Sequence, residues 1–589
     1  MINKKRFLIT VADESTWKFD NPVIFLGQWC LLNEKKHVWE KLDFVIGSSF
    51  GINLETKNKD LETSIRLESK LFPELVKILN ELHGTSHSIR FWRIIVGHSF
   101  QTFTNILINR INTYSKVIDP SAISGARFFN LREEDFTPEN TYDLDFDFVN
   151  SDIWQSTLDY KLLSLMEYIN FPYEIIEQAA ILKSSVSFGK NHKSFNSLRN
   201  KIKIIVKSIS KYFLKQNDSL IISTYLPKFK EYLLHLSFKQ TPQFWEDFTY
   251  SYPVKTVSKS IRADLASKIN IEDKFESIAL KFIVSYLPTL YVEGFKEMLS
   301  IVDNSNWPRK PKFIFTSNEF AYNEHFKFYA AIQSEKGIAY YVGQHGNNYG
   351  TNKFISPSVE ELTATKFLTW GWSDNNNTIP TFVLKTAGLK LNHNPRGKVT
   401  LILLHPNARR LLWDTYVEYQ DYISDQMTFL IKLVNLPTSN LRVRSHPAIT
   451  LNRECILKKH IFDNQIEYDD STNSIFNVYK KSRLLIFSYD STGILEALTS
   501  NIPTLAFWQN GLDHLNDSAK IQYQKMIEAG IFYLSPESLA KTVNEIWDSV
   551  EYWWNQESIQ IAREEFCRQY ARSSKSPLKD LRKILKENL

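Results

Sequence analysis

Short apolar runs alternate along this chain with longer segments whose apolar residues fall at helical spacing. The runs read as strands, and strands alternating with helices predict a parallel α/β sheet. Residues 5–11, 23–26, 219–224, 312–316, 338–342 and 366–370 form a first set of strands. Residues 61–82 and 90–110 carry helical spacing, with Gly97 and His98 as an expected break in the second. Residues 131–152 are acidic and polar, a loop or insertion; 154–210 read as a long helical insertion and 262–298 as helix again. A helix over 323–335 ends against Gly337, which suits a left-handed C-cap.

Polar punctuation at 374–378 (DNNNT) and 392–397 (NHNPRG) marks an interdomain connection, after which the pattern restarts. Strands follow at 399–404, 441–444, near Ile466, at 484–487 and at 504–507, with helices over 414–434, near Ser474 and after Ser491. The expectation is α/β: two Rossmann-like domains with parallel sheets, 1–392 and 393–553. The first carries the helical insertion (154–210), and 554–589 crosses back to it.

The stretch 441–503 concentrates the chemistry. LRVRSHP brings Arg444 and His446 to a strand exit closed by Pro447, and RLLIFSYDSTGILEAL puts Ser488, Ser491 and Thr492 at the start of a helix. A guanidinium, an imidazole, hydroxyls and free helix N–H groups suit a phosphate, and open α/β sheets bind ligands at this carboxyl edge. Glu496, one turn into that helix, is a candidate for nucleotide hydroxyls. In the first half, Gly343-Gln344-His345-Gly346 follows a strand; its glycines allow close ligand approach, with Gln344 and Gly346 as contacts and His345 as base or phosphate ligand. Asp13, Glu14 and Glu319 stand just past strands and are candidate general bases. His405 and Arg409, in HPNARR, could face the phosphate, and His98 is a weaker candidate.

Composition adds limits. The 589 residues are 43% hydrophobic and 23% charged, a globular balance. A net charge of +6, spread along the chain, suits anionic substrates or an anionic membrane face and argues weakly for nucleic acid. Cys30, Cys455 and Cys567 have neither disulfide nor metal spacing, which fits a reducing compartment, and the His pairs show no metal spacing either. The apolar start, Phe7-Leu8-Ile9, is too short for a signal peptide, and no apolar window is long enough to span a membrane. No Walker loop, GxGxxG or GxSxG occurs.

The two halves, the RxHP segment and the DST cluster before GILEALTSNIP resemble bacterial GT-B glycosyltransferases of surface polysaccharides. They are similar in particular to CMP-sugar-using sialyltransferases and Kdo transferases, whose HP and S-S/T motifs match His446-Pro447 and Ser491-Thr492. FLGQWCLL, FWRIIVG, GQHGNNYG and FLTWGW also look like a transferase family of O-antigen and nonulosonic-acid gene clusters, nearly end to end. CDP-glycerol glycerophosphotransferases share a comparable pattern. The resemblance implies transfer of a nonulosonate from a CMP-linked donor to a glycan or lipid-linked glycan, without metal or cofactor, in the cytoplasm. A UDP- or GDP-sugar donor, a CDP-glycerol-type transfer and a non-catalytic glycan-binding scaffold are the alternatives. The tail 562–589 is either a closing helix packed on the first domain or a basic amphipathic helix resting on the inner face of the membrane.

Overall fold

The computed structural model describes residues 5–587 apart from 33–34, 48–53, 120, 179–212, 244–255, 375–376, 405–418 and 447–455. Three parallel sheets organise them. The first has the order β3-β2-β1-β4-β5, built from β1 (Arg6–Ile9), β2 (Val23–Phe25), β3 (Phe44–Ile46), β4 (Ile123–Leu131) and β5 (Tyr173–Gln178). The second runs β10-β9-β8-β7-β6, from β6 (Leu220–Ile222), β7 (Phe313–Thr316), β8 (Ala339–Gly343), β9 (Lys366–Thr369) and β10 (Thr378–Pro380). The third is β13-β12-β11-β14-β15-β16, from β11 (Lys398–Ile402), β12 (Leu441–Arg444), β13 (Glu467–Asp469), β14 (Ser482–Phe487), β15 (Thr504–Phe507) and β16 (Phe532–Tyr533).

The third sheet reverses direction of strand order between β11 and β14, the doubly wound pattern in which ligands bind beyond the carboxyl ends at the reversal. Loops from the carboxyl ends of the second and third sheets meet across a cleft, so these two sheets form a GT-B-like pair. The first sheet is an additional parallel layer ahead of them.

Several elements depart from the sequence expectation. Gly97 does not break its helix, which runs unbroken from Ile89 to Val117. A Cβ at Gly97 would lie 2.7 Å from Val359 Cγ1, so this glycine serves close packing of two helices. Of the expected helical insertion, 152–165 is helix, but β5 follows it and pairs in register with β4. The remainder to 210 lies outside the described residues, as do His405, Arg409 and Pro447. Residues 131–152 are more ordered than a loop, with a π-helical turn over Asp143–Phe148. Residues 262–298 divide into helices Lys259–Ser267, Lys274–Tyr286, Thr289–Val292 and Phe295–Asp303. Ser88, Asn323 and Ser358 cap their helices through side-chain oxygens, and Gly337 has φ +85° as its C-cap position requires.

The first layer is pinned by a fully buried ion pair. Arg110 Nε stands 3.0 Å from Asp159 Oδ1, both side chains 0% exposed, and the guanidinium lies 4.6 Å from the Trp29 ring. Gln155 accepts from Arg110, and Tyr114 donates to Asp159. Burial pushes the Asp159 carboxyl up to about 6, against the pull of Arg110. The chain's end crosses back from the third sheet: Arg572 N donates to Trp370 O and Val383 N to Arg572 O. The helix Pro577–Glu587 then buries Leu581 and Leu585 against Ile221, Phe313, Phe315 and Leu368 of the second sheet. The tail's apolar face is thus consumed by packing. Among the described residues no helix is long and apolar enough to cross a membrane.

Two stability measurements follow from this packing. Arg110→Met strands a buried carboxylate and should cost about 3–5 kcal/mol, read from the denaturant midpoint, with Arg110→Met/Asp159→Leu recovering most of it. Leu581→Ala opens the second sheet's core and should cost about 2–5 kcal/mol, whereas Lys583→Ala, on the exposed side of the same helix, should leave the midpoint within about 0.5 kcal/mol.

Candidate functional site

β8 delivers Gln344, His345, Gly346 and Asn347 into the cleft, and β14 delivers Ser488 to Thr492 from the other side. The two loops touch. Asn347 N donates to Thr492 Oγ1 at 3.0 Å and Asn347 Nδ2 to Asp490 Oδ1 at 2.6 Å. The approach is close enough that a Cβ at Gly346 would lie 2.9 Å from Thr492 Oγ1. Asp490 is 3% exposed and also accepts from the Tyr523 hydroxyl (3.0 Å to Oδ2) and His514 Nε2 (3.1 Å). Asn516 Nδ2 donates to Gly350 O and Lys353 N to His514 O, extending the seam.

His345 is held by a relay. Its Nδ1 lies 2.9 Å from the Tyr349 hydroxyl, which itself donates to the buried carboxylate of Glu360. A phenol that donates to Glu360 accepts from His345, so Nδ1 carries the proton and Nε2 the lone pair; the tautomer is assigned from this network. Burial, with Lys385 adding to it, holds the imidazole down at about 4, so it is neutral at neutral pH. Tyr225, Phe320 and Tyr349 surround the ring, with centroids 6.0, 5.6 and 5.3 Å away. His98 stacks on Phe320 as well and is pushed down to about 3 by burial, with Lys327 and His345 adding.

Charged groups gather beside Tyr225. Glu319 is fixed by the Ser223 hydroxyl and by Asn323 Nδ2 at 2.6 Å, and it remains half-buried. Lys385 lies 2.8 Å from Glu496 Oε1 and over the Tyr225 ring, and the Tyr479 hydroxyl donates to the other oxygen of Glu496 at 3.1 Å. The Tyr225 phenol is raised first by burial, and Lys385, Glu496 and Glu319 all act on it. Ser223 and Tyr225 adopt φ of +47° and +62°. That conformation costs a non-glycine residue about 1–3 kcal/mol and clusters at functional sites.

Ser491 supplies the group left over. It is 2% exposed at the N-cap of the helix Thr492–Thr499, makes no capping bond, and its hydroxyl, beside Tyr489, has no hydrogen-bond partner of normal geometry. A buried hydroxyl and free N–H groups at a helix start suit an anion.

The other candidates divide. Thr492 and Glu496 line the cleft but are engaged there. Gln344 is structural: its oxygen accepts from Trp370 N and Trp372 Nε1, and its nitrogen donates to Gly346 O. Arg444 bonds Asp469 Oδ2 at 2.7 Å and Asn473 O at 2.8 Å, and is 6% exposed. Ser488 donates to Ile402 O and pairs with the Tyr422 hydroxyl. His446 is exposed at the end of β12, two strands from β14. Asp13 caps a turn through Ser15, and Glu14 pairs with Lys35 at 3.1 Å, both within the loops of the first sheet. Sequence reading missed Tyr225, Tyr349, Glu360, Lys385, Asn347 and the inward role of Asp490. Asn347 and Tyr349 lie within GQHGNNYG and Asp490 immediately precedes Ser491, spacings that were readable; Tyr225, Glu360 and Lys385 are joined to the site only by the fold.

Chemically, the cleft offers a neutral imidazole with a fixed tautomer, a half-buried carboxylate, a cation and an anion-ready helix start. Among the described residues no three His, Cys, Asp or Glu side chains converge as a metal site would require.

No curated protein sequence matches the chain. Among solved structures, Acinetobacter baumannii MurG aligns at 10% identity over 49% of this chain and 77% of its own, with a TM-score of 0.29. The UDP complex of S. aureus MnaA aligns at 9% identity over 74% and 94%, with a TM-score of 0.30. Scores this low leave the architecture to be read from the chain's own sheets. The family profile described as LIC12162 family transferase matches residues 6–585, and the chain belongs to that family of transferases.

Proposed function

We propose that this transferase moves a glycosyl group from a nucleotide-activated donor to a hydroxyl acceptor, in the cleft between the second and third sheets. The observation that carries the reading is the buried hydroxyl of Ser491 at a helix start, which makes no capping bond and has only Tyr489 beside it, together with the neutral imidazole of His345 on the facing loop. An anion site and a base on opposite walls are what displacement at a sugar phosphate needs.

In the proposed step the acceptor hydroxyl gives its proton to His345 Nε2. Its oxygen bonds to the anomeric carbon, the bond from that carbon to the phosphate oxygen breaks, and the electron pair leaves with the phosphate. Ser491 and the first N–H groups of the helix Thr492–Thr499 donate to that phosphate, and Lys385 supplies positive charge beside it. Glu319 orients the acceptor, and Glu496 holds Lys385 in place through their ion pair. The resemblance of His446-Pro447 and Ser491-Thr492 to CMP-sugar motifs supports a CMP-linked nonulosonate as donor, with a surface glycan or glycolipid as acceptor. The reading requires no metal or cofactor and places the enzyme in the cytoplasm, with its activated donor.

Thermal shift with a nucleotide panel tests the donor. CMP should raise the melting temperature, EDTA should leave the rise unchanged, and Ser491→Ala should weaken binding about tenfold. A rise with UDP or GDP alone would remove the cytidine assignment; no rise with any nucleotide would remove the glycosyl-transfer reading.

Turnover tests the base. His345→Asn should lower kcat by about 10²–10⁴-fold while the nucleotide shift persists. Because the imidazole is held at about 4, the wild-type kcat/KM should stay level as pH falls through 6.5, the ordinary histidine value. A loss of activity centred near 6.5 would exclude His345 as the base.

A further inference from the structure

The helices Lys228–Ser237 and Pro577–Glu587 pack side by side on one face of the second sheet, each with an exposed outer side. On the C-terminal helix, Leu581 and Leu585 point inward. Lys579, Arg582, Lys583 and Lys586 fall at i, i+3, i+4 and i+7, all exposed, so the outer side is a continuous basic stripe. Arg572 and Lys575 extend it. The acidic residues of this helix are both engaged: Asp580 accepts from the Ser574 hydroxyl, and Glu587 stands 3.7 Å from Lys583.

The neighbouring helix contributes the opposite chemistry. Phe229 is 69% exposed and Leu236 56% exposed. They lie two turns apart on the same side, with half-buried Leu233 between them. Lys228 and Lys239 flank this apolar stripe and are exposed as well. Large exposed apolar side chains framed by cations are what a membrane-surface helix presents. Here the two properties are divided between adjacent helices that are both anchored in the fold.

We infer that this two-helix surface docks the protein on an anionic lipid bilayer. Lys579, Arg582, Lys583 and Lys586 meet the lipid phosphates, and Phe229 and Leu236 enter the headgroup boundary. The basic stripe alone would also fit a nucleic acid, which would leave Phe229 and Leu236 in water; the apolar stripe selects the bilayer. The inference stands on this surface alone and does not depend on the donor or the reaction.

Vesicle flotation of the full-length protein tests it. Binding to phosphatidylcholine vesicles containing phosphatidylglycerol is expected, with little binding to pure phosphatidylcholine and release by added salt. Each basic side chain at such a surface strengthens binding about fivefold, so the combined Lys579→Gln, Arg582→Gln, Lys583→Gln, Lys586→Gln variant should bind about 600-fold more weakly. Phe229→Ser with Leu236→Ser should weaken binding about tenfold. All six positions are exposed or outward-facing, and an unchanged melting temperature verifies that each variant is folded. Absence of flotation, equal binding to neutral and anionic vesicles, or unchanged binding of the charge variant would overturn the inference. So would an unaffected Phe229/Leu236 variant together with wild-type binding to double-stranded DNA of the same salt dependence.

Discussion

The cleft depends on one buried carboxylate. Asp490 is almost fully withdrawn from water, where an uncompensated carboxylate would be strongly unfavourable. It is kept there by donors from Asn347, His514 and Tyr523. Two of these belong to its own half, and Asn347 belongs to the loop beyond β8. That bond therefore fixes one half against the other. Its position in sequence gives it further reach: Asn347 is two residues past His345, and Asp490 immediately precedes Ser491. The relation between imidazole and hydroxyl is set by a contact in which neither takes part.

The polar groups around this seam are unequal in a way that sequence could not display. Arg444, Ser488 and Gln344 have the right chemistry for a ligand, yet each is saturated by protein partners. Ser491 differs only in lacking a partner of normal geometry. Breaking a buried ion pair such as Arg444–Asp469 to reach a ligand would cost more than the ligand contact returns. A hydroxyl with only Tyr489 beside it can turn to a ligand without breaking an ion pair or a capping bond. What separates binding residues from structural ones in this protein is the state of their hydrogen bonds, not their residue type.

The alternation of apolar runs and helical segments gave the parallel α/β class, because strands such as Leu484–Phe487 and Phe313–Thr316 are buried on both faces and read as unbroken apolar runs. β4 escaped notice since Gly125, Arg127 and Asn130 interrupt it, and β10, with Pro380 at its end, reads as a turn. β5 alternates too weakly with its charged residues to stand apart from a helical stretch. Gly97 looked like a helix break because a sequence cannot say whether a missing side chain makes room for a bend or for Val359. His345 and Glu319 were legible from their places after strands. Tyr225 and Lys385 were not, since they reach the site from separate strand ends and have no motif.

The crossing of the chain's end onto the second sheet bears on how the protein is made. The sheet's last strand ends at Pro380, but the helix that covers its Phe313 and Leu368 face begins at Pro577. At roughly 5–20 residues per second, a ribosome needs about 10–40 s to travel between them. For that interval the nascent chain carries a finished sheet with a bare apolar face. The already emerged helix Lys228–Ser237 covers part of that face, and the rest stays open until residues 577–587 leave the exit tunnel. Premature termination between Pro380 and Pro577 thus releases a product whose second sheet lacks this cover, and such fragments should be cleared by proteolysis rather than persist as a smaller folded protein.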